Sequence, residues 1–112
     1  MKKWRCGVCG YIHDGDTPPD HCPKCGAAKE MFSEVTADAA ALIDKSRYTN
    51  SLHMELHALL AKIKEAAQKG EDDNLDPGCV GVFKKALAEA GVLQGLVKAE
   101  IAVHLSKGKW GL

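Results

Sequence analysis

The segments CGVCG at residues 6–10 and CPKCG at residues 22–26 decide how the first third of this 112-residue chain folds. Each segment holds two cysteines separated by two residues, and twelve residues lie between the two pairs. Four thiolates at this spacing suit one tetrahedral metal ion, either iron or zinc. The glycine that follows each pair tolerates a positive φ, which turns backbone N–H groups toward the sulfur atoms. The predicted metal ligands are Cys6, Cys9, Cys22 and Cys25.

Two other uses of cysteine are disfavoured. A disulfide framework needs an oxidising compartment, but the start MKKW leads directly into the first cysteine pair and contains no apolar signal segment. A thioredoxin-type redox pair needs a βαβ context, which the Gly- and Pro-rich flanks do not supply. We therefore expect a metal-binding, cytoplasmic protein.

The charge balance excludes two classes of partner. The chain carries 15 Lys and Arg residues against 15 Asp and Glu residues, so it has no net charge that would attract nucleic acid or an anionic membrane. No apolar run approaches the roughly 18 residues of a membrane span. We expect neither nucleic acid nor a membrane as a partner.

The chain divides by composition into two predicted domains. Residues 1–34 are rich in Cys, Gly and Pro and have no helical period, so short strands are expected near Lys3–Arg5 and Tyr11–His13. This domain has little apolar material, and a bound metal would supply on the order of 10 kcal/mol of its folding free energy. Residues 36–106 follow a helical period and predict an all-α bundle of three or four helices.

The predicted helix boundaries come from capping residues and glycines. Thr36 or Asp38 caps a first helix that ends near Tyr48, and Asn50 or Ser51 caps a second that ends at Gly70. Asp76-Pro77 begins a third helix, Gly91 ends or interrupts it, and a fourth runs from Val92 to Ser106. The second helix has one predicted apolar stripe, which consists of Leu52, Leu56, Leu59, Leu60, Ile63 and Ala67.

The N-terminal domain resembles rubredoxin, and more closely the short rubredoxin-like domain of rubrerythrin. The resemblance rests on WRCGVCGY at residues 4–11 and CPKCGAAKEMF at residues 22–32, and it covers residues 2–34. It implies one iron ion held by the four cysteines and alternating between the ferric and ferrous states. Zinc is a substitute that the same thiolates accept. The loop between the pairs is shorter than in free-standing rubredoxins, which predicts a more exposed metal.

Aromatic residues beside the cysteines are expected to enclose the metal. Trp4, Tyr11 and Phe32 flank the two pairs and predict an apolar jacket that limits water around the sulfur atoms. The solvent-facing edge of the site is expected near the Gly7–Val8 and Pro23–Lys24 turns.

Polar residues in the helical domain leave two hypotheses open. His53, His57, Glu100 and His104 fall on or beside apolar faces. They either form a second metal site or stay at the helix edge, with Glu100 paired to His104 or to a lysine. No Glu in the chain has a His three residues later, so the Glu-x-x-His signature of rubrerythrin's di-iron site is absent. Cys79 is predicted to be a small core residue, with a reactive thiol as the alternative.

The function that follows is one-electron transfer between this protein and a redox partner protein. The alternative is a zinc-stabilised protein-interaction module with no redox role. A rubrerythrin-like peroxidase is disfavoured because the second metal signature is missing, so we expect a carrier and not an enzyme. The helices are expected either to pair with a second copy, as a homodimer, or to present a surface to the redox partner.

Overall fold

The computed structural model describes residues 1–111. It contains three short strands, β1 (Lys3–Cys6), β2 (Ile12–Asp14) and β3 (Phe32–Glu34), with a 3-10 turn at Lys29–Met31. Two long helices follow, α1 (Ala37–Asp73) and α2 (Pro77–Ser106). These elements form two compact units. One comprises Met1–Tyr48 and the described residues from Leu105 onward, and the other comprises Thr49–His104. The domain ranges 1–34 and 36–106 stay predictions.

The first unit is built on a small antiparallel sheet with the strand order β2-β1-β3. In the centre of this sheet Trp4 lies opposite His13 on one side and Glu34 on the other. Strands were predicted near Lys3–Arg5 and Tyr11–His13, and the structure has them at Lys3–Cys6 and Ile12–Asp14. Cys6 is the last residue of the central strand β1, so the first cysteine pair lies at the end of that strand.

A buried lysine links three parts of the first unit. Lys3 is only 2% exposed, and its Nζ lies 3.1 Å from Asp14 Oδ1 and 2.8 Å from Asp44 Oδ1. Arg47 Nη2 donates to Asp14 Oδ1 at 2.8 Å, and Arg47 Nε donates to the Gly111 carbonyl at 2.6 Å. A buried charge needs partners. Here the partners come from the sheet, from the first turns of α1 and from the C-terminal segment, so the network joins these three parts.

The prediction of three or four helices is wrong. In the part of the chain that the structure describes there are two α-helices, and Asn50, Ser51 and Gly70 lie inside α1 while Gly91 lies inside α2. An interior glycine costs a helix only about 1 kcal/mol relative to alanine, which packing overrides. The Asn50 side chain is fully buried and lies 2.5 Å from His104 Nδ1, so it serves a tertiary contact instead of a cap.

Two predicted helix starts are confirmed. Thr36 Oγ1 accepts a hydrogen bond from the Ala39 N–H at 3.3 Å, and Asp76 Oδ1 accepts one from the Cys79 N–H at 2.8 Å. Both are N-cap contacts in which a side-chain oxygen satisfies an amide of the first turn. α2 begins at Pro77, the position where the missing N–H of proline carries no penalty.

Gly70 has a specific packing role in the second unit. A Cβ placed on Gly70 would overlap three ring atoms of Phe83, far inside van der Waals contact. The bare glycine therefore lets the α2 aromatic ring lie directly against the α1 backbone. Among residues 1–111, neither helix has an apolar stretch long enough to cross a membrane.

Candidate metal centre

The two cysteine pairs have the same backbone conformation. In the first, the Gly10 N–H donates to the Cys6 carbonyl at 2.9 Å, and the Cys6 N–H donates to the Tyr11 carbonyl at 2.9 Å. In the second, Gly26 donates to Cys22 and Cys22 donates to Ala27, both at 2.8 Å. Gly10 and Gly26 have φ values of 81° and 77°, a region that favours glycine. The predicted need for glycine after each pair is confirmed.

The turns bring the four cysteine sulfur atoms together. The Sγ atoms of Cys6, Cys9, Cys22 and Cys25 all lie within 4.8 Å of one another. Cys6 Sγ is 3.7 Å from Cys25 Sγ, and Cys9 Sγ is 3.6 Å from Cys22 Sγ. A tetrahedral ion with metal–sulfur bonds of about 2.3 Å has sulfur–sulfur edges of about 3.8 Å. The donor set therefore fits a tetrahedral iron or zinc ion, and the assignment of these four residues as its ligands stays a prediction.

Backbone amides make the buried thiols acidic. The Cys9 N–H, helped by the Val8 N–H, lowers the pKa of Cys6 against the effect of burial. Burial disfavours the Cys22 thiolate, but the N–H groups of Cys25 and Lys24 outweigh it and lower the Cys22 pKa to about 6. These amides stabilise negative charge on sulfur before a metal arrives.

Cys25 has the opposite tendency. The Ala27 N–H favours its thiolate, but partial desolvation and hydrogen bonds with the neighbouring cysteines raise the Cys25 pKa to about 12. The metal-free cluster thus keeps a proton on Cys25, shared with the neighbouring sulfur atoms. A metal ion must displace that proton, so metal affinity depends on pH.

The site has a protected side and a solvent-facing edge. Cys6 and Cys22 are 1% and 3% exposed and pack with Phe32, and Trp4 and Tyr11 lie against this cluster. These aromatic contacts confirm the predicted jacket. The second cysteine of each pair is more accessible, because Cys9 is half-buried and Cys25 is exposed.

The turn residues at this edge are also open to solvent. Val8 is 60% exposed, and the whole of Gly7–Val8 and Pro23–Lys24 belongs to the exposed surface. The predicted location of the edge is confirmed. Electron exchange with another molecule needs such an edge, because the buried sulfur atoms of Cys6 and Cys22 cannot be approached.

A cleft of about 300 Å³ adjoins this edge, and we call it the Cys9 cleft. Its wall includes Cys9 and Tyr11, and Arg5 and Lys24 are the charged residues that line it. Trp110 closes the cleft from the C-terminal segment, which sequence reasoning did not connect with the metal site. The segment is fixed by the Arg47 contact to the Gly111 carbonyl. No local motif marks Trp110, so only the fold reveals its position.

The hypothesis of a second metal site among the helical histidines is not supported. Within residues 1–111, the four cysteines are the group of metal-ligating side chains that converges. Glu100 Oε1 lies 3.6 Å from His104 Nε2, the pairing that the alternative named, but His104 is buried and contacts Asn50, so it does not stay at the helix edge. The His53 ring meets the His104 ring edge-on at 5.9 Å, and the buried Nε2 of His57 has no hydrogen-bond partner among residues 1–111.

Cys79 is not a core residue. It lies half-buried in the first turn of α2, where its backbone N–H donates to Asp76 Oδ1 and its Sγ lies 3.4 Å from Asp76 Oδ2. The Cys79 N–H, followed by its thiol, lowers the pKa of Asp76. The thiol thus supports the helix cap.

Comparison with known proteins places the N-terminal part of the chain in a family. The family model for the rubredoxin-like domain of rubrerythrin matches residues 4–33. Reverse rubrerythrin-1 of Clostridium acetobutylicum is 45% identical over 47 residues, which cover 42% of this chain and 26% of that protein. This chain therefore spans about a quarter of the length of that relative.

Two rubredoxins are matched over most of their length. A probable rubredoxin of Methanothermobacter thermautotrophicus is 43% identical over 52 residues, covering 31% of this chain and 82% of that protein. Rubredoxin-2 of Chlorobaculum tepidum is 38% identical over 52 residues, covering 31% of this chain and all of that protein. No solved structure matches the chain. The helices beyond the matched segment have no family assigned, whereas through residues 4–33 this chain belongs to the rubredoxin family.

Proposed function

We propose that this protein carries single electrons on one iron ion held by Cys6, Cys9, Cys22 and Cys25. The observation that carries the proposal is the convergence of four Sγ atoms within 4.8 Å on a rubredoxin-like domain. Iron held by four thiolates supplies one-electron chemistry, with a potential set by hydrogen bonds to the sulfur atoms and by solvent exposure.

The protein around the site is suited to this task. The amides of Val8, Cys9, Lys24 and Cys25 point at sulfur atoms from two tight turns, so negative charge is stabilised by groups that need not move. Packing of Phe32 and the other aromatic rings keeps the buried side free of bulk water. Rigid ligands and a partly dry environment reduce the rearrangement that accompanies a change of charge.

The proposal is for a carrier and not a catalyst. Similarity to rubrerythrin and reverse rubrerythrin is confined to part of the chain, and their names do not assign an activity to it. The helices contain no Glu-x-x-His sequence, so the motif with which rubrerythrin builds its second metal site is missing.

The metal content and spectrum test this proposal. Protein purified from its native host without oxygen should contain one iron per chain and show visible thiolate-to-iron bands that dithionite bleaches reversibly. The Cys9→Ser variant should lose these bands, and Cys79→Ser, a cysteine change outside the cluster, should keep them. Colourless, zinc-loaded protein from the native host would refute the redox role and support the zinc-stabilised interaction module.

We propose further that the redox partner is a protein with an acidic surface that docks over the Cys9 cleft. Arg5 and Lys24 give the cleft a positive charge, and Tyr11 and Trp110 offer the aromatic contacts that dominate many interfaces. Electron-transfer encounters are small and transient, so one cleft beside the metal edge is a sufficient contact. Cys9 forms part of the wall, which gives the electron a direct route.

Two small oxidants of opposite charge test the sign of this surface. Ferricyanide is an anion and hexaamminecobalt(III) is a cation, so their rates of oxidising the reduced protein report the local charge. Lys24→Glu should lower the ferricyanide-to-cobalt rate ratio several-fold at low salt. Lys98→Glu, the same charge change at an exposed residue of α2 outside the cleft, is the control. Equal ratios in the two variants would refute docking at the cleft.

A further inference from the structure

The second unit buries very little apolar surface. Its buried apolar side chains are Leu60, Ala67, Ala90 and Val97, two of which are alanines. Four of the six residues in the predicted α1 stripe are instead 43–49% exposed; they are Leu52, Leu56, Leu59 and Ile63. On α2, Val92, Leu93 and Leu96 are 46–61% exposed. Two helices form a single layer, and a domain normally needs a second layer to bury such faces.

Several of these exposed residues line a groove between the two helices, which we call the apolar groove. It has a volume of about 480 Å³ and is lined by Leu56, Leu93, Leu96 and Val103, with His53 and Glu100 as its polar members. A smaller depression of about 150 Å³ continues it past Leu52, because both share His53 and Leu56. The groove and the depression are therefore continuous, and Leu59 and Ile63 extend the same face of α1 because they follow Leu52 and Leu56 at helical spacing.

We propose that the apolar groove is the interface of a homodimer, in which two copies of this chain pair their helices as a four-helix bundle. Each copy supplies two helices, so the dimer has the second layer that one chain lacks. The apolar faces that predicted a bundle of three or four helices within one chain would then be buried in a bundle formed by two helices from each of two chains.

The exposed area suits this partner. Eight half-exposed aliphatic side chains, the seven above and Val103, present on the order of 500 Å² in each copy. Two copies would bury on the order of 1,000 Å² through these side chains alone, which reaches the lower limit for a specific interface. Their neighbours in the helices add to that area.

The charges also favour a second copy. The chain has equal numbers of acidic and basic residues, so two copies do not repel each other by net charge. The groove contains one carboxylate, Glu100, and one imidazole, His53. In a two-fold interface a contact between Glu100 of one copy and His53 of the other occurs twice, so an acid and a base in one patch are self-complementary.

Sedimentation equilibrium of the full-length, metal-loaded protein tests the proposal. The chain mass is 12.0 kDa, so a dimer of about 24 kDa is expected between roughly 1 and 100 µM. Leu96→Glu should weaken dimerisation at least 100-fold while retaining the helical circular dichroism, because this side chain is 60% exposed in the single chain. Lys98→Glu, at an exposed position on the opposite face of the same helix and outside the groove, should leave the dimer intact.

A second variant guards against misfolding. Leu96→Ala removes apolar surface without adding charge, and it should weaken the dimer at least tenfold with an unchanged helix signal. A folded wild-type monomer at 100 µM would overturn the proposal, whether the groove then faces water, a lipid surface or another protein. Equal effects of the Leu96→Glu and Lys98→Glu substitutions would also overturn it. These outcomes do not depend on which metal is bound.

Discussion

Replacing Gly70 by alanine is expected to destabilise the helices of the second unit by up to about 2 kcal/mol. The added Cβ would overlap three atoms of the Phe83 ring, well inside normal contact. Overpacking of this kind costs about 1–3 kcal/mol. Alanine recovers up to about 1 kcal/mol of helix propensity relative to glycine, which sets the net effect.

Gly81→Ala is the matched control for this substitution. Gly81 lies inside α2 and is exposed, and a Cβ there meets nothing within 4 Å. The same chemical change should therefore stabilise the protein by about 0.5–1 kcal/mol. Both variants keep every predicted metal ligand and lie outside the lining of the apolar groove.

Guanidinium unfolding followed by helical circular dichroism measures both changes, at one fixed protein concentration for all variants. Phe83→Leu in the Gly70→Ala background should remove most of the added cost, because the smaller side chain leaves room for the new methyl group. A coupling free energy near zero between positions 70 and 83 would refute the contact. So would a Gly70→Ala variant that is as stable as Gly81→Ala.

Further predictions concern the charged and thiol groups of the first unit. Arg47 holds the Asp14 pKa at about 2 instead of 3.8, so the stabilisation is present above pH 4 and is lost as pH falls toward 2. Wild type should exceed Asp14→Asn by up to about 2 kcal/mol in urea unfolding at pH 7, and the difference should shrink below pH 4. If the difference in unfolding free energy between wild type and Asp14→Asn stays constant down to pH 2.5, the lowered Asp14 pKa does not contribute to stability. Zinc titration calorimetry of metal-free protein should show at least one proton released at pH 7, because the Cys25 pKa is raised to about 12. A zinc affinity that does not change between pH 6 and pH 8 would contradict the prediction that zinc displaces a proton from the cysteines.

The metal cluster is largely a local property of the sequence. Each cysteine pair closes its own turn through hydrogen bonds between residues four or five positions apart, such as Gly10 to Cys6 and Cys22 to Ala27. Spacing and one glycine per turn are enough to specify that geometry. The starts of α1 and α2 are local in the same way, because Thr36 and Asp76 cap amides three residues ahead.

The continuity of the helices was decided by distant contacts. Asn50 looks like a cap in sequence, but its side chain is used by His104, which is 54 residues away. Gly70 looks like a helix end, but its missing side chain admits the ring of Phe83 from the other helix. A capping residue or a glycine changes helix stability by only about 1 kcal/mol, which is within the range of one tertiary contact.

Charge placement and the surroundings of the metal edge also depend on the tertiary structure. Lys3 would be assigned to the surface by its residue type, but ion pairs with Asp14 and Asp44 from separate elements offset the cost of burying its charge. Trp110 lines the Cys9 cleft from the C-terminal segment, whose Gly111 carbonyl accepts a hydrogen bond from Arg47. The sequence by itself determined where the chain turns and which atoms meet within each turn. The tertiary structure decided which distant groups meet, since those contacts depend on side chains that no local pattern relates.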